Sequence, residues 1–309
     1  MAESGHNPPL FGISITPSAR NAQHAFTLAK AADSTGLDFI TIQDHPYNPT
    51  FLDTWTLFAA LGASTQHARL LPNVLNLPLR PPAMLAKQAA TLDILTNGRV
   101  EMGLGAGAFR EGVVAYGGPQ RTPGEAVSAL EEAIQIMKTL WQPATAGRTA
   151  SFDGKYYQLR NAQPGPVPLH PIGIWLGALG SRMLELTGRM ADGWIVSASY
   201  APPENILAMQ AKIDEAALAA GRATDTIRRG YNLAGAVQQP GAPTITARRK
   251  DIITGPTSQW VDVISQYYHD LRMDTFIFWP LGGEEAQIRY FAEEVVPAVR
   301  AAISPENRS

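Results

Sequence analysis

Short apolar runs bounded by turn-forming residues recur along the chain at 11–16 (FGISIT), 37–43 (LDFITIQ), 69–76 (RLLPNVLN), 100–106 (VEMGLGA), 172–178 (IGIWLGA), 193–198 (GWIVSA), 227–237 and 275–280 (TFIFWP). Most are continuous rather than alternating, the pattern of parallel strands buried on both faces. Between them lie helix-period segments at about 21–35, 53–65, 82–96, 123–141, 181–191, 204–220, 257–272 and 284–303, the crossovers that parallel strands require. Helix starts are marked by Asp53 before Thr54-Trp55, by Pro81-Pro82 before Ala83 and by Pro123-Gly124-Glu125. This alternation predicts an α/β fold, a (β/α)8 TIM barrel, in which the carboxyl ends of the strands form the active face.

Three stretches break the rhythm: 107–122 after strand four, 142–171 between helix four and strand five, and 238–256 after strand seven. The second holds Tyr156-Tyr157-Gln158-Leu159 in a predicted hairpin; the third is rich in Pro, Gly and Thr and is read as an insertion that covers the site. The chain is expected to be a single domain over 1–309, with 1–9 a flexible tail.

Composition narrows the class. With 309 residues, 45% hydrophobic and 17% charged, the chain can build a large core, which excludes global disorder. Having Cys 0, it has no disulfide, thiolate nucleophile or thiolate metal site, and a net charge of -2 argues against nucleic-acid partners. No apolar run is long enough for a membrane span, and Met1 to Pro9 lacks the apolar core of a signal peptide, so the expectation is a cytoplasmic protein with no membrane partner. No His/Asp/Glu cluster has metal-ligand spacing and no Gly-x-Ser-x-Gly elbow is present, so neither a metal site nor a hydrolase triad is expected.

The sharpest chemical feature is the end of strand two, where an apolar run stops at Gln43-Asp44-His45-Pro46. His45, with an ordinary pKa near neutrality, suits a proton relay, and Asp44 can orient it or accept a hydrogen bond from a ligand. The plainer reading has Asp44 capping the turn and His45 half-buried. Gly103-x-Gly105-x-Gly107 lacks the dinucleotide spacing. Trp141, Trp175, Trp194 and Trp279 are expected in the core, with Trp175 and Trp279 also able to wall the mouth. Arg248-Arg249-Lys250 can attract an anion or merely be solvated.

Taken in order, Gln43-Asp44-His45, Asn73-Val74, Arg80-Pro81-Pro82-Ala83, Ala90-Thr91-Leu92-Asp93, Asn97-Gly98-Arg99, Gly103 to Gly107, Gly188 to Trp194 and Asp274 to Pro280 resemble the bacterial luciferase-like superfamily of flavin- and deazaflavin-dependent oxidoreductases over about residues 11–300. The Asp-His pair looks more like the members that use the deazaflavin F420 than like the luciferases. The resemblance therefore implies an F420-dependent oxidoreductase acting on a small-molecule substrate, with an FMN-dependent, oxygen-using monooxygenase and a non-catalytic flavin-binding barrel as alternatives. It implies catalytic roles for His45 and Asp44, with Asp44 also at the coenzyme. Asn73-Val74 would carry a cis bond that bulges against the ring, the alternative being an ordinary strand with Asn73 hydrogen-bonded in the mouth. Backbone at Ala106, Gly107 and Ala108 would approach the coenzyme. Gly177, Ala178, Leu179, Gly180 and Ser181 open a helix whose amides suit a phosphate, Ser181 being alternatively its cap. Sugar-phosphate dehydrogenases of the deazaflavin branch carry a glutamate where this chain has Ala108; Glu111 lies three residues on. Relatives often form homodimers through helices flanking the early strands, so a homodimer is expected.

Overall fold

Each apolar run becomes a strand and each periodic segment a helix in a computed structural model that describes residues 7–143, 149–241, 245–247 and 249–304. In chain order the elements are β1 (Leu10–Ile15), α1 (Ala22–Ser34), β2 (Phe39–Ile42), α2 (Thr54–Ser64), β3 (Arg69–Pro72), β4 (Leu75–Asn76), α3 (Pro82–Leu95), β5 (Met102–Gly105), α4 (Arg110–Ala115), α5 (Pro123–Leu140), β6 (Ala150–Asp153) and β7 (Gln158–Ala162). They continue with β8 (Ile174–Gly177), α6 (Ser181–Met190), β9 (Gly193–Ser197), α7 (Pro203–Ala219), β10 (Arg228–Val237), β11 (Ile252–Gly255), α8 (Thr257–Asp270), β12 (Thr275–Pro280), α9 (Glu284–Tyr290) and α10 (Val296–Ala302).

The parallel sheet runs β3-β2-β1-β12-β10-β9-β8-β5-β4. Its two ends, β3 and β4, are halves of one predicted strand, interrupted at Asn73-Val74, whose peptide bond is cis. The ring closes where β3 meets the segment ahead of β5: Leu70 bridges Val100, with Leu70 N donating to Arg99 O (2.7 Å) and Glu101 N to Leu70 O (3.0 Å). The expected barrel is thus observed.

Side chains alternate along each strand between the helix shell and the interior, as the period of two requires. Phe11, Ile40, Leu70, Trp194, Tyr231, Phe276 and Phe278 join the shell, while Phe39, Leu71, Trp175, Ile195 and Ile277 form a separate interior cluster. Phe39 and Trp175 meet edge to face at 5.8 Å and 75°, a geometry favoured by the ring quadrupoles. Gly193 lies beneath Trp175, where a Cβ would overlap the indole. This plug floors the mouth. The opposite end is closed by Arg69 on Glu101 (3.0 Å) and by His170, whose Nδ1 lies 2.8 Å from Asp93 Oδ1.

Helix starts follow the local signals. The Asp53 carboxylate accepts Thr56 N at 2.8 Å, and Thr122 with Glu125 forms a capping box on α5. Tyr156 and Tyr157 sit at the turn of the antiparallel hairpin β6–β7, where the Glu132 carboxylate accepts the amides of Lys155, Tyr156 and Tyr157. Three differences from the sequence reading have physical reasons. Part of 238–256 is β11, which pairs with the overlong β10 through Ala234 to Val237; residues 242–244 and 248 lie outside the described residues. Arg249 is tied to Asp251 rather than open to an anion, and Arg248 is outside the described residues. Of the expected tail, 1–6 are outside the described residues, while Asn7 donates to Asp225 O (2.9 Å) and Pro8 O accepts Arg228 (2.8 Å). Among the described residues no helix is long and apolar enough to cross a membrane.

Candidate active site

The carboxyl ends of β2, β4, β5 and β8 bring the expected residues into one mouth. Asp44, 3% exposed, leaves the strand tip pointing at Arg80. Its Oδ1 accepts Arg80 Nη2 (2.9 Å), and its Oδ2 accepts Arg80 Nε (3.1 Å) and the Asn76 amide (2.9 Å). Arg80 continues to Asp53 at 2.6 Å. Burial depresses the Arg80 pKa, but the hydrogen bonds and charges of Asp44 and Asp53 outweigh it and raise the value. The carboxylate ties the tip of β2 to the tip of β4, and among the described residues its hydrogen bonds go to Arg80 and Asn76 rather than to His45. A bidentate guanidinium satisfies a buried carboxylate better than a single imidazole donor can.

His45 is instead held by Tyr47, with Nδ1 and the phenol oxygen 2.9 Å apart. The exposed imidazole lies 5.6 Å from the Tyr47 ring and 6.3 Å from Phe51, and Tyr47 meets Phe109 at 4.9 Å. Although the residue is exposed overall, the desolvation of its ring by the surrounding chain, partly offset by the Asp44 charge, lowers the His45 pKa. Burial likewise raises that of Tyr47, helped by Asp44. The imidazole and the phenol together can take up or deliver one proton at the rim.

Inside the rim, the bulge at Asn73-Val74 turns Val74 toward β5 and β8. Its Cγ2 is 2.9 Å from where a Gly105 Cβ would stand and 3.0 Å from that of Gly177, so glycine at both positions lets the valine seat as a shelf. Asn73 Nδ2 donates to Asn232 Oδ1 (2.7 Å), and Asn232 Nδ2 donates to Ser197 (2.9 Å). The next residues of the β5 tip, Ala106 and Gly107, are half-buried, and Ala108 is exposed. Gly107 has φ 82° and its Cβ would stand 2.7 Å from Pro78 Cγ and 3.5 Å from Asn76 Oδ1, a conformation and a space that only glycine fits. Glu111 is exposed in the first turn of α4. His45 thus contacts Tyr47, Gly107 adjoins Pro78 and Asn76, and Val74 adjoins Gly105 and Gly177, all at the carboxyl ends of the barrel strands.

Beyond Gly177, Ala178 is buried and Leu179 is 49% exposed. Gly180 is the N-cap of α6 and offers no side chain; Met183 N and Leu184 N already donate to Gly180 O. Ser181 is accordingly not the cap. Its hydroxyl accepts Lys212 Nζ at 2.6 Å, which sets an ammonium beside the amides of Ser181 and Arg182, donors that precede the first intrahelical bond. Trp175 lies in the interior plug, Trp279 on the inward face of β12, and Trp141 and Trp194 donate their indole N–H to Ala86 O and Ala178 O. Sequence reasoning missed Tyr47, Lys212 and the polar interior positions Ser14, Thr41, Ser197 and Asn232. The last four were legible as single polar residues at inward positions of otherwise apolar strands.

Fold and site together define a parallel (β/α)8 barrel whose carboxyl end carries the Val74 shelf, the start of α6 without a side-chain cap and the His45 imidazole. Residues 9–262 match the family described as luciferase-like monooxygenase, and the chain belongs to that family. It is 32% identical over 211 residues to an F420-dependent glucose-6-phosphate dehydrogenase of Nocardia farcinica, covering 65% of this chain and 61% of that protein. The chain spans about three fifths of the length of the curated relatives it matches. Its fold is that of an F420-dependent secondary alcohol dehydrogenase solved with an F420-acetone adduct (TM-score 0.82, 18% identity, 95% of this chain and 99% of that one). It is also that of the FMN-bound oxygenating component of a Pseudomonas putida diketocamphane monooxygenase (TM-score 0.75, 16% identity, 94% and 99%).

Proposed function

We propose that the protein is an F420-dependent oxidoreductase of the luciferase-like family acting on a small organic substrate. When bound, the deazaflavin supplies hydride exchange at its C5. What supports the reading is that the Val74 shelf, the start of α6 without a side-chain cap and the His45 imidazole all lie at the carboxyl ends of the barrel strands. The Nocardia relative favours a deazaflavin.

The chain's own residues divide the work. Val74 would support one face of a planar ring, with Asn73 holding the bulge through Asn232. Backbone at Ala106, Gly107 and Ala108 would border the coenzyme side chain. Gly177, Ala178, Leu179, Gly180 and Ser181 would place a phosphate at the first-turn amides of α6, where the helix dipole and Lys212 both favour negative charge. His45 Nε2 would take or give the proton of a substrate oxygen while Tyr47 fixes Nδ1. Asp44 and Arg80 act one step back, by holding the tips of β2 and β4 together. Exposed Met84, Ile94 and Leu95 on α3 fit a homodimer through the helices beside the early strands.

FMN with oxygen is the second reading, favoured by the family's description and the FMN-bound fold relative. Titration with F420 and FMN, each oxidised and reduced, followed by oxygen consumption, tests the choice. Tight F420 binding and anaerobic turnover are expected. Binding of FMN alone with oxygen uptake reverses the cofactor assignment, and coenzyme binding with no turnover over a broad substrate panel leaves a non-catalytic barrel.

A further inference from the structure

Directly above the Phe39–Trp175 plug, the inward side chains form a layer that is neutral throughout: Ser14, Thr41, Asn73, Ser197, Asn232 and Trp279. One half is satisfied, because Asn73, Asn232 and Ser197 bond to one another. The other half is not. Ser14 Oγ, Thr41 Oγ1 and Trp279 Nε1 are enclosed and have no hydrogen-bond partner among the described residues, although Ser14 is 5% and Thr41 0% exposed.

The residues that carry these orphaned groups are neighbours on adjacent strands, all on the inward face. Ser14 is the register partner of Thr41 on β2. On the other side, Ile13 pairs with Phe278, so the next step along β1 and β12 brings Ser14 beside Trp279. Barrel layers are ordinarily filled with branched apolar residues, and each buried polar group without a partner costs about 1–3 kcal/mol. Three such groups on adjacent strands at the bottom of the mouth therefore indicate a missing partner. Its chemistry follows from theirs. An indole N–H only donates, and two hydroxyls can donate, so the group they share is an acceptor. With no cation in the layer, a carboxylate or phosphate would be buried without a counter-charge, so the acceptor is uncharged.

We propose that Ser14, Thr41 and Trp279 form a subsite for an uncharged carbonyl-type oxygen. The proposal rests on the mouth being the ligand site and names a feature of that ligand. Such an oxygen can come from the pyrimidine edge of a flavin or deazaflavin, or from a ketone-like substrate.

Indole N–H resonances of protein labelled with [15N]tryptophan, titrated separately with oxidised F420, FMN and cyclohexanone, decide between these sources and test the subsite. Trp279→Phe assigns the signal. Trp141, Trp194 and Trp260, already bonded to Ala86 O, Ala178 O and Ala236 O, are internal controls. The Trp279 proton is expected to move downfield more than any control with at least one probe. A response to a coenzyme assigns the oxygen to its ring, and a response to cyclohexanone alone assigns it to substrate. Coenzyme fluorescence reports binding independently, so loss of coenzyme binding with a surviving cyclohexanone response would end the coenzyme reading and leave the subsite standing. Thr41→Val, close to isosteric, should weaken the active probe about 3- to 10-fold without lowering the thermal midpoint. No Trp279 response to any probe, or a lowered midpoint in Thr41→Val with unchanged probe affinity, the mark of a structural water, overturns the proposal.

Discussion

Replacing Arg80 with methionine separates the structural role of Asp44 from a coenzyme-contact role. The substitution keeps most of the aliphatic volume but removes the two guanidinium bonds to Asp44 at 2.9 and 3.1 Å and the one to Asp53 at 2.6 Å. The Asp53 partner is 43% exposed at its side chain, so its loss counts for at most about 0.5 kcal/mol. Asp44 has a side chain 1% exposed, and stranding a carboxylate there falls in the class of broken buried pairs, about 3–5 kcal/mol. The remaining bond from the Asn76 amide (2.9 Å) moves the expectation toward the lower end, about 3–4 kcal/mol. Taking an unfolding entropy of about 2.1 cal/mol/K per residue, roughly 0.65 kcal/mol/K for 309 residues, this becomes a fall of about 5–6 °C in thermal midpoint. Calorimetry of the wild type, Arg80→Met, Asp44→Asn and the double variant reads it. Because the amide introduced by Asp44→Asn leaves no buried charge to strand, the double variant should be less destabilised than the sum of the two singles. A midpoint within about 1 °C of wild type for Arg80→Met (about 0.65 kcal/mol), or strict additivity, would refute the claim that Arg80 consumes Asp44.

Other outcomes follow from the same geometry. His45→Ala should lower kcat/KM about 10²- to 10⁴-fold, and Tyr47→Phe by up to about tenfold with a displaced acidic limb in the pH–rate profile; a profile identical to wild type in Tyr47→Phe would remove Tyr47 as the positioning group. Gly107→Ala, forced to φ 82° and against Pro78, should cost about 1–2 kcal/mol from backbone conformation alone and weaken coenzyme binding, as fluorescence titration would show. His170 has a raised pKa: its interaction with Glu101, opposed by burial and joined by the charge of Asp93, favours the imidazolium. The stabilisation it gives is therefore complete below the ordinary imidazole value near about 6.5 and is lost as pH climbs through the raised one. The stability gap between wild type and His170→Gln, measured by urea unfolding, should shrink as pH rises above about 6.5, and a gap that widens contradicts the assignment.

The barrel was legible because burial on both faces leaves continuous apolar runs, and FITI in β2 and TFIFWP in β12 need no tertiary information to be read as strands. The positions of His45 and Gly177 at strand ends followed from the same pattern, whereas the break at Asn73-Val74 lies inside the single run 69–76 and was implied only by the family resemblance. What the side chains do there was not legible, because it depends on contacts across the ring. Asp44 and Arg80 lie far apart in sequence and meet at hydrogen-bonding distance only once β2 and β4 are neighbours. Ser181 reads as a cap from residue type, yet it is already the first helical residue, and the extended Gly180 before it takes the cap position. β11 was hidden because its four residues are only half-buried and follow a Pro/Gly/Thr-rich run that reads as loop.

The electron density of a crystal soaked with oxidised F420 tests the coenzyme site most directly. The deazaflavin ring is predicted on Val74, with its phosphate at the amides of Ser181 and Arg182 and His45 facing the exposed side of the ring. Density that leaves the Val74 shelf bare while the coenzyme binds elsewhere, or a phosphate away from the start of α6, would contradict it.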